Sequence, residues 1–216
     1  MIDARLLPLQ RRALAPAARF LVARGVSANT LTLTGFGLGV LCVPALAAGW
    51  WGGALVFILL NRLFDGLDGA VARLTTPTER GAFLDIALDF VFYALVPLGF
   101  ALQNPAANAL PAAVLLTAFI GTGSSFLAFA VIAEKTGRQS TAFPTKGIYY
   151  LGGLTEGFET IAMFIAMCLF PAAFPALALI FAAACALATL LRWGQGWQIL
   201  GAAPPHPSMT HKPEAR

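Results

Sequence analysis

Charge is what this chain lacks most. Asp, Glu, Lys and Arg make up 11% of its 216 residues and hydrophobic residues 58%, where a soluble domain carries about 25% charged residues. So little polar surface cannot cover a water-soluble globule, and the same figures exclude a disordered chain. A mean hydropathy of +0.77 places the chain in a bilayer. Cysteine is scarce as well: Cys42, Cys168 and Cys185 stand alone in apolar runs, without the paired spacing of a metal site or a disulfide framework, and read as small core residues. A basic stretch interleaved with aromatics is missing too, so the net charge of +4 does not indicate a nucleic-acid partner. The first residues have Pro8 and Pro16 among five arginines and no unbroken apolar run, and no signal peptide is expected. No internal repeat is visible.

What is present is a series of apolar segments. Hydrophobic helices are expected near 30–48, 51–73, 81–103, 109–133, 147–170 and 173–194, with Gly, Pro and Asn-Pro signals in the connections. The fold class is an all-α integral membrane protein with six transmembrane helices, preceded by a short interfacial helix. Residues 1–25 form the basic interfacial segment, 26–197 the six-helix domain and 198–216 a disordered tail with four prolines. In the first segment Arg5, Arg12 and Arg19 recur every seven residues with Leu6, Leu9, Leu14 and Phe20 turned to lipid, and Pro16 is expected to break or restart the helix. A merely basic flank is the alternative.

Six spans put both termini on one side, and Lys and Arg test that layout. Arg5, Arg11, Arg12, Arg19, Arg24, Arg73, Arg80, Lys135, Arg138, Lys146, Lys212 and Arg216 fall on that side, with Arg62 and Arg192 toward the same ends of their helices. The opposite loops have none. By the positive-inside rule the basic side is cytoplasmic.

Ten acidic residues serve the whole chain, yet Asp65, Asp68, Asp85 and Asp89 crowd into one stretch. The apolar run from Trp51 to Phe64 is roughly 21 Å of helix, which places Asp65 at or just inside the edge of the ~30 Å hydrocarbon layer. Asp65, Asp68 and Ala72 are spaced i, i+3, i+7 on one helical face, and Gly81, Asp85 and Asp89 i, i+4, i+8 on another. A short connection containing Pro77 makes the two helices antiparallel neighbours, so the carboxylates converge. Four carboxylates that close repel unless a cation lies among them. Hard oxygen ligands suit Mg²⁺ or Mn²⁺, and four of them can bridge two ions. Gly69 and Ala72 let a ligand approach the helix and Arg73 adds a fixed cation, which together describe a divalent-metal phosphate site at a membrane surface. The alternative is internal pairing of the acids with Arg62, Arg73 and Arg80.

The segment Asp65-Gly-Leu-Asp68-Gly69-Ala-Val-Ala72-Arg73, followed after seven residues by Gly81-Ala-Phe-Leu-Asp85-Ile-Ala-Leu-Asp89, resembles the signature of the CDP-alcohol phosphotransferases. That pattern is D-x-x-D-G-x-x-A-R, a spacer usually of eight, then G-x-x-x-D-x-x-x-D. All its fixed residues are present, and the spacer is one residue shorter, a difference that falls in the turn holding Thr78. The stretch Gly25-Val-Ser-Ala-Asn29-Thr-Leu-Thr32 resembles the opening of the first helix in that family, with Ala28 where Pro is common. Gly121-Thr-Gly-Ser-Ser125 and Tyr149-Tyr-Leu-Gly-Gly-Leu-Thr-Glu156-Gly-Phe-Glu159-Thr resemble a little-characterised bacterial branch.

The resemblance implies a phosphatidyltransferase of phospholipid synthesis in the bacterial inner membrane, with termini and site cytoplasmic. It would move a phosphatidyl group from a CDP-linked lipid such as CDP-diacylglycerol to the hydroxyl of a small alcohol and release CMP. It further implies Mg²⁺ or Mn²⁺ on Asp65, Asp68, Asp85 and Asp89, with Asp89 also the general base. Asn29, Thr32, Gly69, Arg73 and Thr78 would hold the CDP-lipid, and the protein would be a homodimer.

The acceptor pocket is less defined. Lys135, Arg138, Lys146 and Arg192 are candidates for gripping a phosphorylated acceptor, such as glycerol 3-phosphate or inositol phosphate. Each is also explained as a positive-inside residue. Glu156 and Glu159 share a face of the fifth span and suit an amino-alcohol headgroup, a basic residue of the acceptor pocket, or a structural bond to neighbouring hydroxyls. The rival from another class is a divalent-cation transporter built on the same carboxylates, which predicts acids at mid-membrane with access from both sides.

Overall fold

A computed structural model describes residues 2–136, 155 and 157–201. All secondary structure among them is helical: α1 (Ile2–Ala23), α2 (Ala28–Val40), α3 (Cys42–Ala47), α4 (Trp51–Leu74), α5 (Glu79–Gln103), α6 (Pro105–Lys135), α7 (Gly157–Leu169) and α8 (Phe174–Gly201), with a 3₁₀ turn at Pro171–Ala173 before α8. The all-helical membrane architecture agrees with the sequence reading. Among the described residues four segments are long and apolar enough to cross a bilayer: Ala28–Ala47, Glu79–Gln103, Pro105–Lys135 and Pro171–Gly201. The helix α4 fails that test of composition because Arg62, Asp65, Asp68 and Arg73 interrupt its apolar run.

Local chemistry sets the helix ends. Ser27 caps α2, its Oγ accepting from Thr30 N at 3.1 Å. Thr78 caps α5 through a 3.1 Å bond from Gly81 N, and Asn104 caps α6, where Pro105 occupies the first turn and needs no N–H partner. Asn108 bonds back to the Phe100 carbonyl at 2.9 Å, closing the end of α5.

Several boundaries differ from expectation. Pro16 does not break α1, which is continuous through it. The lost N–H bond is offset by packing, since Leu14, Ala18, Leu21 and Val22 lie with Leu67, Ala70 and Val71 of α4 in one apolar cluster. Leu14 is therefore turned to protein rather than lipid, while Phe20 remains exposed. The first span is split at Leu41 into α2 and α3, with Pro44 in the short second piece, where proline supplies no donor to the preceding turn. The last helix runs to Gly201, past the expected domain limit at 197.

The core follows from which helices can approach closely. Glycines at 35 and 39 repeat at i, i+4 on α2, and a Cβ at Gly35 would sit 2.5 Å from Phe64 Cβ of α4, so the two backbones meet as in small-residue membrane interfaces. Away from the acidic end, Phe92, Val96, Phe100, Phe164, Met167 and Phe174 are fully buried. Phe100 stacks on Phe174 at 4.3 Å and on Trp51 at 5.5 Å between ring centroids. Cys42, Cys168 and Cys185 are free and buried. The most extensive contacts join α6 to α8 and α2 to α4, and the second of these pairs, with α5, frames the acidic site.

Candidate active site

The carboxylates come from two antiparallel helices joined by a turn at residues 75–78. Single oxygens of Asp65, Asp68 and Asp85 lie within 4.8 Å of one another. Oxygens facing each other across an ion with ~2.1 Å bonds stand about 4.2 Å apart, so a small side-chain adjustment closes this triad on a divalent cation. The all-oxygen donor set matches Mg²⁺ or Mn²⁺. Asp68 is buried, Asp65 half-buried and Asp85 exposed, which makes the triad open on one side to an incoming phosphate.

The walls of the cleft come from three helices: Thr32, Gly35 and Phe36 of α2, Asn61, Arg62, Asp65 and Asp68 of α4, and Asp85, Leu88 and Asp89 of α5. Thr32 Oγ1 donates to Asp68 Oδ2 at 2.5 Å. A second cavity, of about 340 Å³, is lined by Trp51, Gln103, Asn104, Ala107, Asn108, Pro171, Ala172 and Pro175, and carries no charged side chain.

Of Asn29, Thr32, Gly69, Arg73 and Thr78, Thr32 bonds directly to a carboxylate and Gly69 follows Asp68 in the chain. Asn29 Oδ1 stands 2.9 Å and Thr78 Oγ1 3.1 Å from where a Cβ of Gly81 would project, so these three meet at the start of α5. The guanidinium of Arg73 folds back over Gly69, with Nη1 3.2 Å from the corresponding Cβ position. Thr78 also has a plain structural task as the cap of α5.

Asp89 is not part of the tight triad. Its Oδ1 receives a 2.5 Å bond from Arg62 Nη2, while Arg62 Nη1 lies 3.6 Å from Asp65 Oδ2. The pairing of acids with Arg62, weighed as an alternative to metal binding, is thus present beside the triad. Arg62 is the pairing residue the sequence offers, whereas Asn61 and Tyr93, which bond to it, are site residues that sequence reasoning missed. Arg11 was also missed. It lies close enough for its charge to act on Arg73, and its Nε is buried without a hydrogen-bond partner among the described residues.

Of the candidate acceptor residues, Lys135, Glu159 and Arg192 fall among the described residues. Arg192 is buried in the α6–α8 seam, where Nη1 donates to the Thr122 carbonyl at 2.8 Å and to Ser125 Oγ at 3.3 Å. Gly121 also faces Thr189 of α8, which gives the Gly121–Ser125 run a packing role. Lys135 is exposed in the last turn of α6, and Glu159 is in the first turn of α7. Arg138, Lys146 and Glu156 lie outside the described residues.

With this geometry in place, comparison with known proteins identifies the chain. The profile of the CDP-alcohol phosphatidyltransferase family matches residues 25–193, and the chain belongs to that family. It is an enzyme that transfers a phosphatidyl group from a CDP-linked lipid to an alcohol in phospholipid synthesis, and this decides against the transporter. Among its relatives, inner membrane protein YnjF of Escherichia coli is 53% identical over 200 residues, covering 93% of this chain and 97% of that protein. Phosphatidylcholine synthase of Brucella melitensis is 30% identical over 143 residues, covering 60% of this chain and 45% of that enzyme. The fold is that of Mycobacterium tuberculosis phosphatidylinositol phosphate synthase (PgsA1). Its structure with CDP-DAG gives a TM-score of 0.64 at 22% identity, covering 86% of this chain and 94% of the other. Its structure with manganese and citrate gives 0.68 at 21%, covering 85% and 88%.

Proposed function

We propose that the donor is CDP-diacylglycerol, that Asp65, Asp68, Asp85 and Asp89 hold Mg²⁺ or Mn²⁺, as two ions, and that Asp89 is also the general base. The observation that carries this reading is the convergence of oxygens of Asp65, Asp68 and Asp85 within 4.8 Å, with Asp89 lining the same cleft. The manganese and CDP-DAG named with the PgsA1 structures agree with it.

A bound divalent ion supplies positive charge against the phosphate oxygens as charge gathers there. The chain's own residues do the rest. Arg73 and Gly69 receive the pyrophosphate, with Asn29, Thr32 and Thr78 bordering the cytidine side. Asp89 takes the proton of the acceptor hydroxyl, whose oxygen forms a bond to the lipid-proximal phosphorus as the bond from that phosphorus to the CMP oxygen breaks. Six spans and a cytoplasmic site in the bacterial inner membrane belong to the same reading, supported by the one-sided Lys and Arg distribution and by the inner-membrane relative; a homodimer is the part of the reading that rests on the family resemblance alone. Lys135, Arg138, Lys146, Arg192, Glu156 and Glu159 remain the candidate acceptor residues.

The test is purified protein with labelled CDP-diacylglycerol and Mn²⁺, offered a panel of glycerol 3-phosphate, inositol phosphate, serine and choline. CMP release that requires one acceptor, stops in EDTA, returns with Mn²⁺ and is abolished in Asp65→Ala and Asp85→Ala is the expected result. Full activity in excess chelator overturns the metal assignment.

A further inference from the structure

Arg11 occupies a place on α1 where the packing calls for an apolar side chain. Leu14, Ala18, Leu21 and Val22 form the face of α1 that meets Leu67, Ala70 and Val71 of α4. Arg11 stands three residues before Leu14 and seven before Ala18, on the same stripe. The next arginines behave differently. Arg12 and Arg19 are exposed, whereas Arg11 is half-buried, and its Nε is buried without a hydrogen-bond partner among the described residues. Gly66 lets the helix come this near: a Cβ there would stand 2.8 Å from both Gln10 Nε2 and Leu14 Cδ1, so α1 lies over the residue that follows Asp65. Arg73 is seven residues beyond Gly66 on α4 and shares its face, with its guanidinium folded over Gly69. The charge of Arg11 reaches it, and neither arginine has an ion pair with a carboxylate among the described residues. Two like charges brought together from separate helices repel, and a bound anion offsets that cost. Snorkelling accounts for a buried arginine stem with its head in water. It does not account for a buried Nε within reach of a second arginine.

We propose that Arg11 is a donor-binding residue: with Arg73 it clasps, from two helices, the phosphate of the CDP unit that leaves with cytidine. The helix α1 lies ahead of residues 25–193, which the family profile matches, so this group comes to the site from outside that segment. The choice of phosphate follows from the place of Arg73. It stands at the end of α4 that leads into the turn before Thr78, and Thr78 and Asn29 border the cytidine in the reading above. The lipid-proximal phosphorus belongs instead beside Asp89, where the acceptor oxygen attacks. The phosphate next to cytidine is carried by CDP-diacylglycerol and by CMP alike, so water-soluble CMP is a probe of the clasp.

The inference rests on the donor site proposed above, but CMP binding tests it apart from turnover. Calorimetry on the purified protein in neutral detergent with Mn²⁺ gives the CMP affinity, beside KM for CDP-diacylglycerol and the melting temperature. Arg11→Met keeps the stem against α4 and removes the charge. It is expected to weaken CMP binding roughly 3–10-fold and to raise KM for CDP-diacylglycerol by a similar factor. The melting temperature should stay level or rise, since an apolar side chain replaces a half-buried cation. A merely structural Arg11 predicts the reverse, a lower melting temperature with CMP affinity unchanged. Arg11→Lys retains a point charge and should bind CMP within about threefold of the wild type, and the exposed neighbour in Arg12→Gln should leave CMP affinity within about twofold. If Arg11→Met does not fold, Arg11→Gln carries the same comparison. Unchanged CMP affinity in the charge-removing variant overturns the inference. So does a variant that keeps CMP affinity and loses only binding to phosphatidylglycerol vesicles, which would make the anion a bilayer lipid phosphate. A wild type that binds CMP as described yet releases none from CDP-diacylglycerol counts against the functional reading instead.

Discussion

Thr32 Oγ1 and Asp68 Oδ2 are joined by a 2.5 Å hydrogen bond that ties α2 to α4 at the acidic site. Asp68 is the buried member of the triad, and the hydroxyl holds one of its two oxygens in place. Partners of this kind orient metal ligands, and their loss typically costs 10–100-fold in metal affinity. Thr32→Val, which keeps the shape and removes the donor, should weaken Mn²⁺ binding by about 10-fold, and Thr32→Ser should restore it. Equal affinities for the wild type and Thr32→Val, measured by calorimetry, would mean that the bond does not hold the ligand.

The approach of α2 to α4 that makes this bond possible predicts opposite effects for neighbouring glycines. A Cβ at Gly35 would stand 2.5 Å from Phe64 Cβ, whereas Gly37 meets nothing within 4 Å. Gly35→Ala must push the helices apart and should cost ~1–3 kcal/mol, lowering the melting temperature in detergent. Gly37→Ala replaces a poor helix former on an open face and should leave stability level or raise it by up to ~1 kcal/mol. Thermal unfolding of the two variants in the same micelle checks the order; equal shifts would refute the packing argument.

The carboxylates were legible because helical spacing is a strong local rule: i, i+3 on one helix and i, i+4 on the next place them on facing sides whatever the rest of the chain does. Arg62 obeyed no such rule. Its pairing with the acids is one alternative the sequence offers, but spacing within one helix does not tell that its partners on the neighbouring helix are Asp89 and Tyr93. Arg192 is the same case, a basic residue near a helix end that tertiary packing buries against Thr122 and Ser125. Pro16 misled for a related reason, since proline forbids one hydrogen bond while α1 is held by its apolar contact with α4. The break at Leu41 depends on how α2 and α3 fit their different neighbours, α4 and α5, which spacing within one helix does not encode.

The distribution of Lys and Arg carries a prediction about orientation. Thr76, in the turn between α4 and α5, and Ala106, at the start of α6, are both exposed, and a six-span chain with cytoplasmic termini puts them on opposite sides. The native cysteines are buried, so background labelling should be low. In intact cells a membrane-impermeant maleimide should modify Ala106→Cys and spare Thr76→Cys until the membrane is opened. Labelling of Thr76→Cys from outside would invert the topology and move the acidic site with it.

Arg73 offers the last separation of roles, between holding the donor and holding the ion. Its guanidinium lies over Gly69, 3.2 Å from where a Cβ would be, next to Asp68 but without an ion pair to it among the described residues. Arg11 of α1 adds a second positive charge nearby, and two cations without a carboxylate bond among the described residues make a place for an anion. A charged hydrogen bond is worth ~1.5–3 kcal/mol, roughly 10–100-fold in binding. Arg73→Gln should therefore raise KM for CDP-diacylglycerol by about that factor while Mn²⁺ affinity in the absence of lipid stays within about twofold, because no ligand has been removed. Arg11→Gln should raise KM less, since its charge acts from the neighbouring helix. Exposed arginines would give small, salt-sensitive effects on KM; a loss that persists at high salt marks direct contact with the pyrophosphate. If Arg73→Gln instead weakens Mn²⁺ binding and leaves KM unchanged, Arg73 serves the carboxylates rather than the donor.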